Sequence, residues 1–305
     1  MDKYLPILFI AYSLLLSGIS FYWQLAFDHH TRAGRTIQTL AAASIMAFAF
    51  LATPWAFTSY YLRYIVLGLF VAFVGYSWRK MKQRVSVPGR HGFRSSIPST
   101  LLLLLFAGLD ALAVASHYHR GDTLRVSFPL GSGTYYILQG GDSVVTNPFH
   151  TLAGNAYAID VVKLNTFGNR ARGISPRALH AYEIYGDKLH SPCAGRVLEV
   201  RDGLSDNPPG EPDKMRTEGN YIVLFCSDVE VFMGHLKQNS IGVVKGQTVA
   251  QGLPIAEVGN SGNSLEPHLH IEAKRDGEGV GLAIHGRALS TNSLVRSRYN
   301  LSDHE

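Results

Sequence analysis

Glu266-Pro267-His268-Leu269-His270-Ile271-Glu272 alternates polar and apolar residues, with Leu269 and Ile271 falling between the polar ones. A period of two predicts a β-strand with one buried face. Residues two apart on a strand share a face, so His268 and His270 present two imidazoles side by side. Imidazole binds zinc, and it exchanges protons near neutral pH. Each histidine alone is as well read as structural, so the meaning of the pair depends on partners elsewhere in the chain.

The same short-period pattern fills the chain after Ser116. Further strands are predicted at Leu124–Phe128, Tyr135–Gln139, Ala156–Val162, Gly195–Val200, Tyr221–Phe225, Val229–Met233, Thr248–Ala250, Pro254–Val258 and Pro267–Ala273. Gly, Pro and Asn punctuate them, and no long amphipathic helix or internal repeat interrupts them. Many short strands with frequent turn signals argue for an all-β sandwich or barrel-like domain over 117–305. About 190 residues are ample for one core. Asp202–Gly219, rich in Pro, Asp and Glu, reads as a surface loop between strands.

The first 116 residues are of another kind. Apolar runs at about 4–27, 37–57, 61–78 and 98–116 each approach the roughly 20 residues that cross a bilayer. The first lacks a basic leading segment and a small-residue cleavage site, so it is expected to stay as an anchor. Residues 1–116 are therefore expected to form a helical region of about four transmembrane helices. Asp110 lies in an otherwise apolar run. A carboxylate at that depth is a functional suspect, or else it pairs with a polar group.

The 305 residues are 46% hydrophobic and 17% charged, and these averages hide an uneven charge distribution. Up to Ser116 there are ten basic and three acidic residues, a net +7; the remainder carries 18 basic and 20 acidic, a net −2. The β domain has no basic surplus, so net charge gives no support to nucleic-acid binding. Arg32 and Arg35 fall between the first two runs, and Arg79, Lys80, Lys82, Arg84, Arg90 and Arg94 between the last two. Positive loops stay in the cytoplasm, which places both termini and the β domain outside it. Cys193 and Cys226 both fall in that outside domain. A disulfide is permitted there, and separate burial as small apolar residues is equally open. Their spacing is not that of a cysteine zinc site.

Partners for the His-x-His pair exist. His150 follows Asn147-Pro148-Phe149, Asp160 stands ten residues later, His235 lies in Gly234-His235-Leu236, and Gly259-Asn260-Ser261-Gly262-Asn263-Ser264 leads into His268-Leu269-His270. The order is His, Asp, His, then His-x-His. No HExxH is present, so a helix-based metalloprotease is excluded.

This order resembles the LytM/lysostaphin-type zinc metalloendopeptidases, which share the duplicated hybrid motif β fold. The resemblance covers roughly 120–285 and rests on three blocks. Ser191-Pro192-Cys193-Ala194-Gly195-Arg196-Val197 is similar to the family's A-P-x-x-G-x-V hairpin, with Ser191 in place of alanine. His235-Leu236 followed by Val243-Val244-Lys245-Gly246-Gln247-Thr248-Val249 is similar to its H-L … V-x-x-G-x-x-V pattern. The glycine-rich block ending in Pro267-His268-Leu269-His270 matches G-x-[ST]-G-x-[ST] … P-H-L-H.

The resemblance implies Zn2+ held by His150, Asp160 and His270, with His235 and His268 as catalytic partners rather than ligands. The family often shows H-x-x-x-D, whereas Ala156 stands four residues before Asp160; His150, at a longer spacing, is the expected substitute, with His180 and His190 as competitors. Two nitrogens and one oxygen with a fourth position open make a catalytic zinc site. The implied function is a membrane-anchored zinc endopeptidase acting on bacterial peptidoglycan peptides near the membrane. The alternative is a non-catalytic β module that recruits or activates a cell-wall hydrolase. A third reading has the four spans acting as a sensor or transport element built around Asp110.

Overall fold

The structure, a computed structural model, describes residues 4–26, 31–81, 96–118, 121–152 and 154–297. Among them, four helices are long and apolar enough to cross a membrane: α1 (Leu5–Leu25), α2 (Arg32–Ala52), α3 (Leu62–Met81) and α4 (Ile97–Ala115). At about 1.5 Å per residue each is close to the ~30 Å of a bilayer's hydrocarbon core. α1 buries Ser13, Ser17, Ser20 and Gln24 and turns Leu8, Leu15 and Leu25 outward. Small and polar residues make the seam, the pattern of helices that pack where lipid gives no hydrophobic drive to associate. Asp110 accepts a hydrogen bond from Ser44 Oγ at 2.6 Å, which ties α4 to α2.

α2 begins earlier than its apolar run suggests. The Thr31 side chain caps it by accepting from Gly34 N, so Arg32 and Arg35 sit in its first turn rather than in a loop. Arg35 donates to Gln24 O, Gln38 Oε1 and Ser77 Oγ. Those bonds gather the end of α1, the start of α2 and the end of α3, where Arg79 and Lys80 also lie. Lys3, Lys82, Arg84, Arg90 and Arg94 lie outside the described residues.

The remaining elements are strands: β1 (Thr123–Val126), β2 (Gly133–Gln139), β3 (Ile159–Leu164), β4 (Lys188–His190), β5 (Gly195–Arg201), β6 (Asn220–Cys226) and β7 (Val229–Leu236). They continue with β8 (Thr248–Val249), β9 (Pro254–Glu257), β10 (Leu269–Arg275), β11 (Glu278–Ile284), β12 (Arg287–Ala288) and β13 (Leu294–Ser297). All nine expected strands form; β4 and β11 to β13 are additional. The main sheet runs β13-β2-β3-β10-β7-β6-β5-β8, with β11 joining β10 to β1 and β12, while β4 and β9 pair separately. A disulfide joins Cys193, just before β5, to Cys226 at the end of β6, with Cα atoms 6.1 Å apart.

Alternation sorts the sheet into two faces. Tyr135 and Ile137 of β2, Ile159 and Val161 of β3, and Leu269, Ile271 and Ala273 of β10 enter the domain core. The opposite face carries Tyr136 of β2 and Val162 and Leu164 of β3. These pack with Ala56 and Tyr60 from the segment between α2 and α3. That segment is docked by hydrogen bonds as well: Tyr60 N donates to Gly168 O at 2.8 Å. Asn292 Nδ2 donates to Leu51 O at 2.8 Å and Thr53 O at 3.0 Å. Ser116, capping α4, bonds through its hydroxyl to those of Thr146 and Ser290 at 2.5 Å. The helices and the β domain are thus joined at the segment between α2 and α3 and at the end of α4, and the basic cluster at Arg35, Arg79 and Lys80 lies at the far end of the bundle.

Candidate metal centre

Asp160, His270 and Gly234 are direct cross-strand partners on β3, β10 and β7, and they lie on the face opposite the core. His270, Glu272 and Lys274 follow at period two along β10 on that face, and His268 stands just ahead of Leu269. The alternation expected for Pro267–Ala273 therefore divides the strand as read: apolar residues into the core, histidines into a cleft.

His235 reaches the same cleft by a different route. Between the pairs Asn220↔Leu236 and Ile222↔Met233, β7 spends three steps against two on β6, the mark of a β-bulge. His235 occupies the bulge with φ +60°, a left-handed conformation uncommon for a residue with a Cβ. Strict alternation would send it to the core beside Met233. The bulge turns it outward to ring-centroid distances of 4.8 Å from His268 and 5.9 Å from His270. Gly234 permits this, because a Cβ there would stand 2.7 Å from the Phe232 ring.

Carbonyl partners fix two of the imidazoles. His235 Nδ1 lies 2.9 Å from Ser261 O, and His268 Nδ1 lies 2.8 Å from Glu266 O. A carbonyl only accepts, so each Nδ1 carries a proton. His268 Nε2 is 3.6 Å from Asp160 Oδ1. His270 donates from Nδ1 to Asp160 Oδ1 at 2.8 Å, and its Nε2 is 3.5 Å from Glu272 Oε2.

The electrostatics follow from this crowding. Burial and the neighbouring His268 and His270 push His235 down to about 3, so it stays neutral at physiological pH. Burial works against charge on His270 too, but Asp160 and Glu272 outweigh it and raise the ring to about 9. Burial would raise Asp160; the charge of His268 and the hydrogen bond from His270 overcome it and hold the carboxyl below its ordinary range. Two buried carboxylates thus favour positive charge at this point, and three imidazoles lie within 4.8 Å of one another by one nitrogen each. Buried nitrogen and carboxylate donors around a cation-favouring point fit zinc.

The structure brings Asp160, His235, His268 and His270 together and does not bring His150 to them. The 3-10 turn Pro148–Thr151 explains why. Asn147 caps it by accepting from Phe149 N, which points Phe149 at the His270 ring, 5.5 Å between centroids. His150 instead turns its Nε2 to within 3.6 Å of Asp142 and its Nδ1 to within 3.2 Å of Ala156 O. His190 is buried on β4, and His180 lies in the turn Leu179–Ala181.

A buried ion pair escaped the sequence reading. Arg170 grips Glu266 through Nε and Nη2 at 2.5 and 2.7 Å, and its guanidinium lies 3.9 Å from the Phe57 ring centroid. Glu266 is the residue whose carbonyl orients His268. Phe57, between α2 and α3, is thereby three contacts from a histidine of the cleft. The cleft encloses about 750 Å³ and includes all four clustered groups in its lining.

Residues 180–281 match the model of peptidase family M23, so a peptidase M23 domain is present over that stretch. It contains His235, His268 and His270; Asp160 and His150 precede it. Among solved structures, a zinc-containing peptidase from Vibrio cholerae is 24% identical over 50% of this chain and 39% of its own, with a TM-score of 0.30. A catalytic-domain variant of the prophage-encoded M23 protein EnpA from Enterococcus faecalis is 17% identical over 55% of this chain and 95% of its own, with a TM-score of 0.28. The SpoIIQ–SpoIIIAH pore-forming complex supplies a chain 16% identical over 40% of this chain and 59% of its own, with a TM-score of 0.27. Against the first and third of these the chain spans less than two thirds of the other protein's length. No curated protein matches the chain.

Proposed function

We propose that the protein is a membrane-anchored zinc metalloendopeptidase that hydrolyses peptide bonds of bacterial peptidoglycan outside the cytoplasm. The observation that carries this reading is the gathering of Asp160, His235, His268 and His270 on one sheet face, with His235 delivered there by a bulge. The M23 match over 180–281 supports the peptidase class. The outside location is supported by the bundle: its basic end, expected in the cytoplasm, is opposite the end that carries the β domain.

Asp160 and His270 would hold the zinc, and His150 would complete the set as the resemblance implies. Zinc there would supply a Lewis acid for the scissile carbonyl and a water acidified to near neutral pH. His235 and His268 share the proton work. Each is held through Nδ1 and turns Nε2 to the cleft: the one unprotonated at Nε2 would take the proton of the attacking water, and the one carrying a proton at Nε2 would deliver it to the leaving amine. The buried floor excludes bulk water from that exchange. The position of His268 Nε2 beside Asp160 favours a second ligand set, in which His268 replaces His150. Zinc content of His150→Ala separates the two.

The experiment is digestion of purified wall fragments by the full chain in lipid nanodiscs, with and without a chelator, and with products read by mass. Zinc-dependent cleavage is expected, lost in His235→Ala with zinc retained. Cleavage that survives the chelator would overturn the role of zinc, and protein that binds no zinc and cleaves nothing would overturn the reading in favour of a non-catalytic module.

A further inference from the structure

One wall of the cleft comes from the membrane region. Leu5, Pro6 and Phe9 of α1 and Phe57 line it together with His235, His268 and His270. The Phe9 and Phe57 rings lie 5.0 Å apart, which closes the wall. α1 has two distinct apolar surfaces here. Tyr4, Ile7 and Leu8 are exposed outward, whereas Leu5, Pro6 and Phe9 are half-buried and face the cleft. The floor has its own polarity. It crosses the sheet from Leu138 on β2, past Asp160 and His270, to Glu199 and Arg201 on β5. That is five inter-strand spacings, about 24 Å, room for about seven extended residues. The membrane segment docks on β2 and β3 through Tyr136, Val162 and Leu164, so the apolar side of the cleft is the membrane side. Glu199 and Arg201 give the far side of the cleft a charged pair that the membrane side lacks.

Leu5, Pro6, Phe9 and Phe57 give the cleft a continuous apolar wall on the α1 side, the surface a hydrocarbon chain fits. We infer that the substrate is a peptide covalently joined to a lipid chain. Its hydrocarbon leaves the bilayer along these four residues, its scissile bond lies over His268 and His270, and its polar end extends toward Glu199 and Arg201. This inference rests on the peptidase reading above for the scissile bond and on α1 crossing the membrane for the lipid chain. It concerns binding, so it is tested separately from cleavage.

The test uses the full chain in phosphatidylcholine nanodiscs with a photoreactive benzophenone amino acid at position 9 or, as control, position 8. Each is irradiated with an N-palmitoyl or an N-acetyl form of one fluorescent stem pentapeptide. The palmitoyl form is expected to label position 9 at least about tenfold more than the acetyl form, the effect of burying two or more methylenes. It should also label position 9 well above position 8. Equal labelling of positions 8 and 9 would show partition into the bilayer only, and equal labelling by both peptides would show no lipid subsite; either overturns the inference. Selective labelling at position 9 without zinc-dependent cleavage would sustain the subsite and count against the peptidase reading.

Discussion

Replacing Arg170 by Met should be the most damaging single change outside the cluster of histidines. The Arg170 side chain is 1% exposed and that of Glu266 is 7% exposed, so the pair is almost fully withdrawn from water. Removing the guanidinium leaves a buried carboxylate without its two donors, and it also strips Phe57 of the group stacked on it. Breaking such a pair costs about 3–5 kcal/mol, because the surviving charge stays desolvated. For a domain of this size each kcal/mol moves the melting temperature by about 2–4 °C, so a fall of about 6–20 °C is expected. The assay is a thermal melt of the full chain in detergent, followed by the β signal in circular dichroism. The double variant Arg170→Met, Glu266→Leu supplies the control. With no charge left to strand, it should recover most of the loss. A shift under about 2 °C in the single variant, or a double variant no better than the single, would refute the claim that the pair is buried and mutually dependent.

His235→Ala should lower kcat by about 10²–10⁴-fold, the range of a lost proton-transfer group, with zinc content by mass spectrometry unchanged; a fall in bound zinc would instead make it a ligand. Gly234→Ala should destabilise by about 1–3 kcal/mol, as overpacking does, because the new methyl meets the Phe232 ring; an unchanged denaturation midpoint would show that the bulge relaxes freely. Glu257 is held below its ordinary value by hydrogen bonds from Lys188 and Lys237. Its contribution to stability is present above the unfolded value of 4.5 and is lost as pH falls through the lower folded value. In Glu257→Gln, melts between pH 3 and pH 6 should lack that part of the acid slope, an effect under about 1 kcal/mol because the partner Lys188 is exposed and solvent screens the pair. Identical acid slopes in the two proteins would sink the assignment.

β10 was legible because its pattern is local: Leu269 and Ile271 mark the buried face, and the histidines must take the other. Asp160 was legible for the same reason on β3. His235 could be named from its Gly-His-Leu context, but its aim could not be read, because a bulge breaks the period that predicts direction. The Gly234-His235 step was the available signal, since glycine before a strand histidine marks where a register is free to slip. β11 escaped because its glycines at 279 and 281 interrupt the apolar rhythm, and β4 and β12 are too short to show one. His150 was identifiable as a candidate, but a capped 3-10 turn decides where its ring goes. The Arg170–Glu266 pair joins residues separated by 96 positions, and nothing local to either announces the other. The docking of the segment between α2 and α3 was hidden similarly, since Thr58-Ser59-Tyr60 reads as an ordinary turn.

That docking has a consequence for how the protein is made. The receptor for the segment is assembled from β2, β3 and Asn292, and Asn292 is nearly the last described residue to leave the ribosome. Domains fold from the N-terminus as they are synthesised, so the first helices are made long before their receptor exists. Until then Ala56, Tyr60 and Phe57 lack the partners that bury them. After synthesis, Tyr136, Val162 and Leu164 form an apolar patch on any β domain that has not docked, a surface of the kind that drives association. Maturation is therefore a two-body event within one chain. A β domain separated from the helices would carry the unmatched half of that interface.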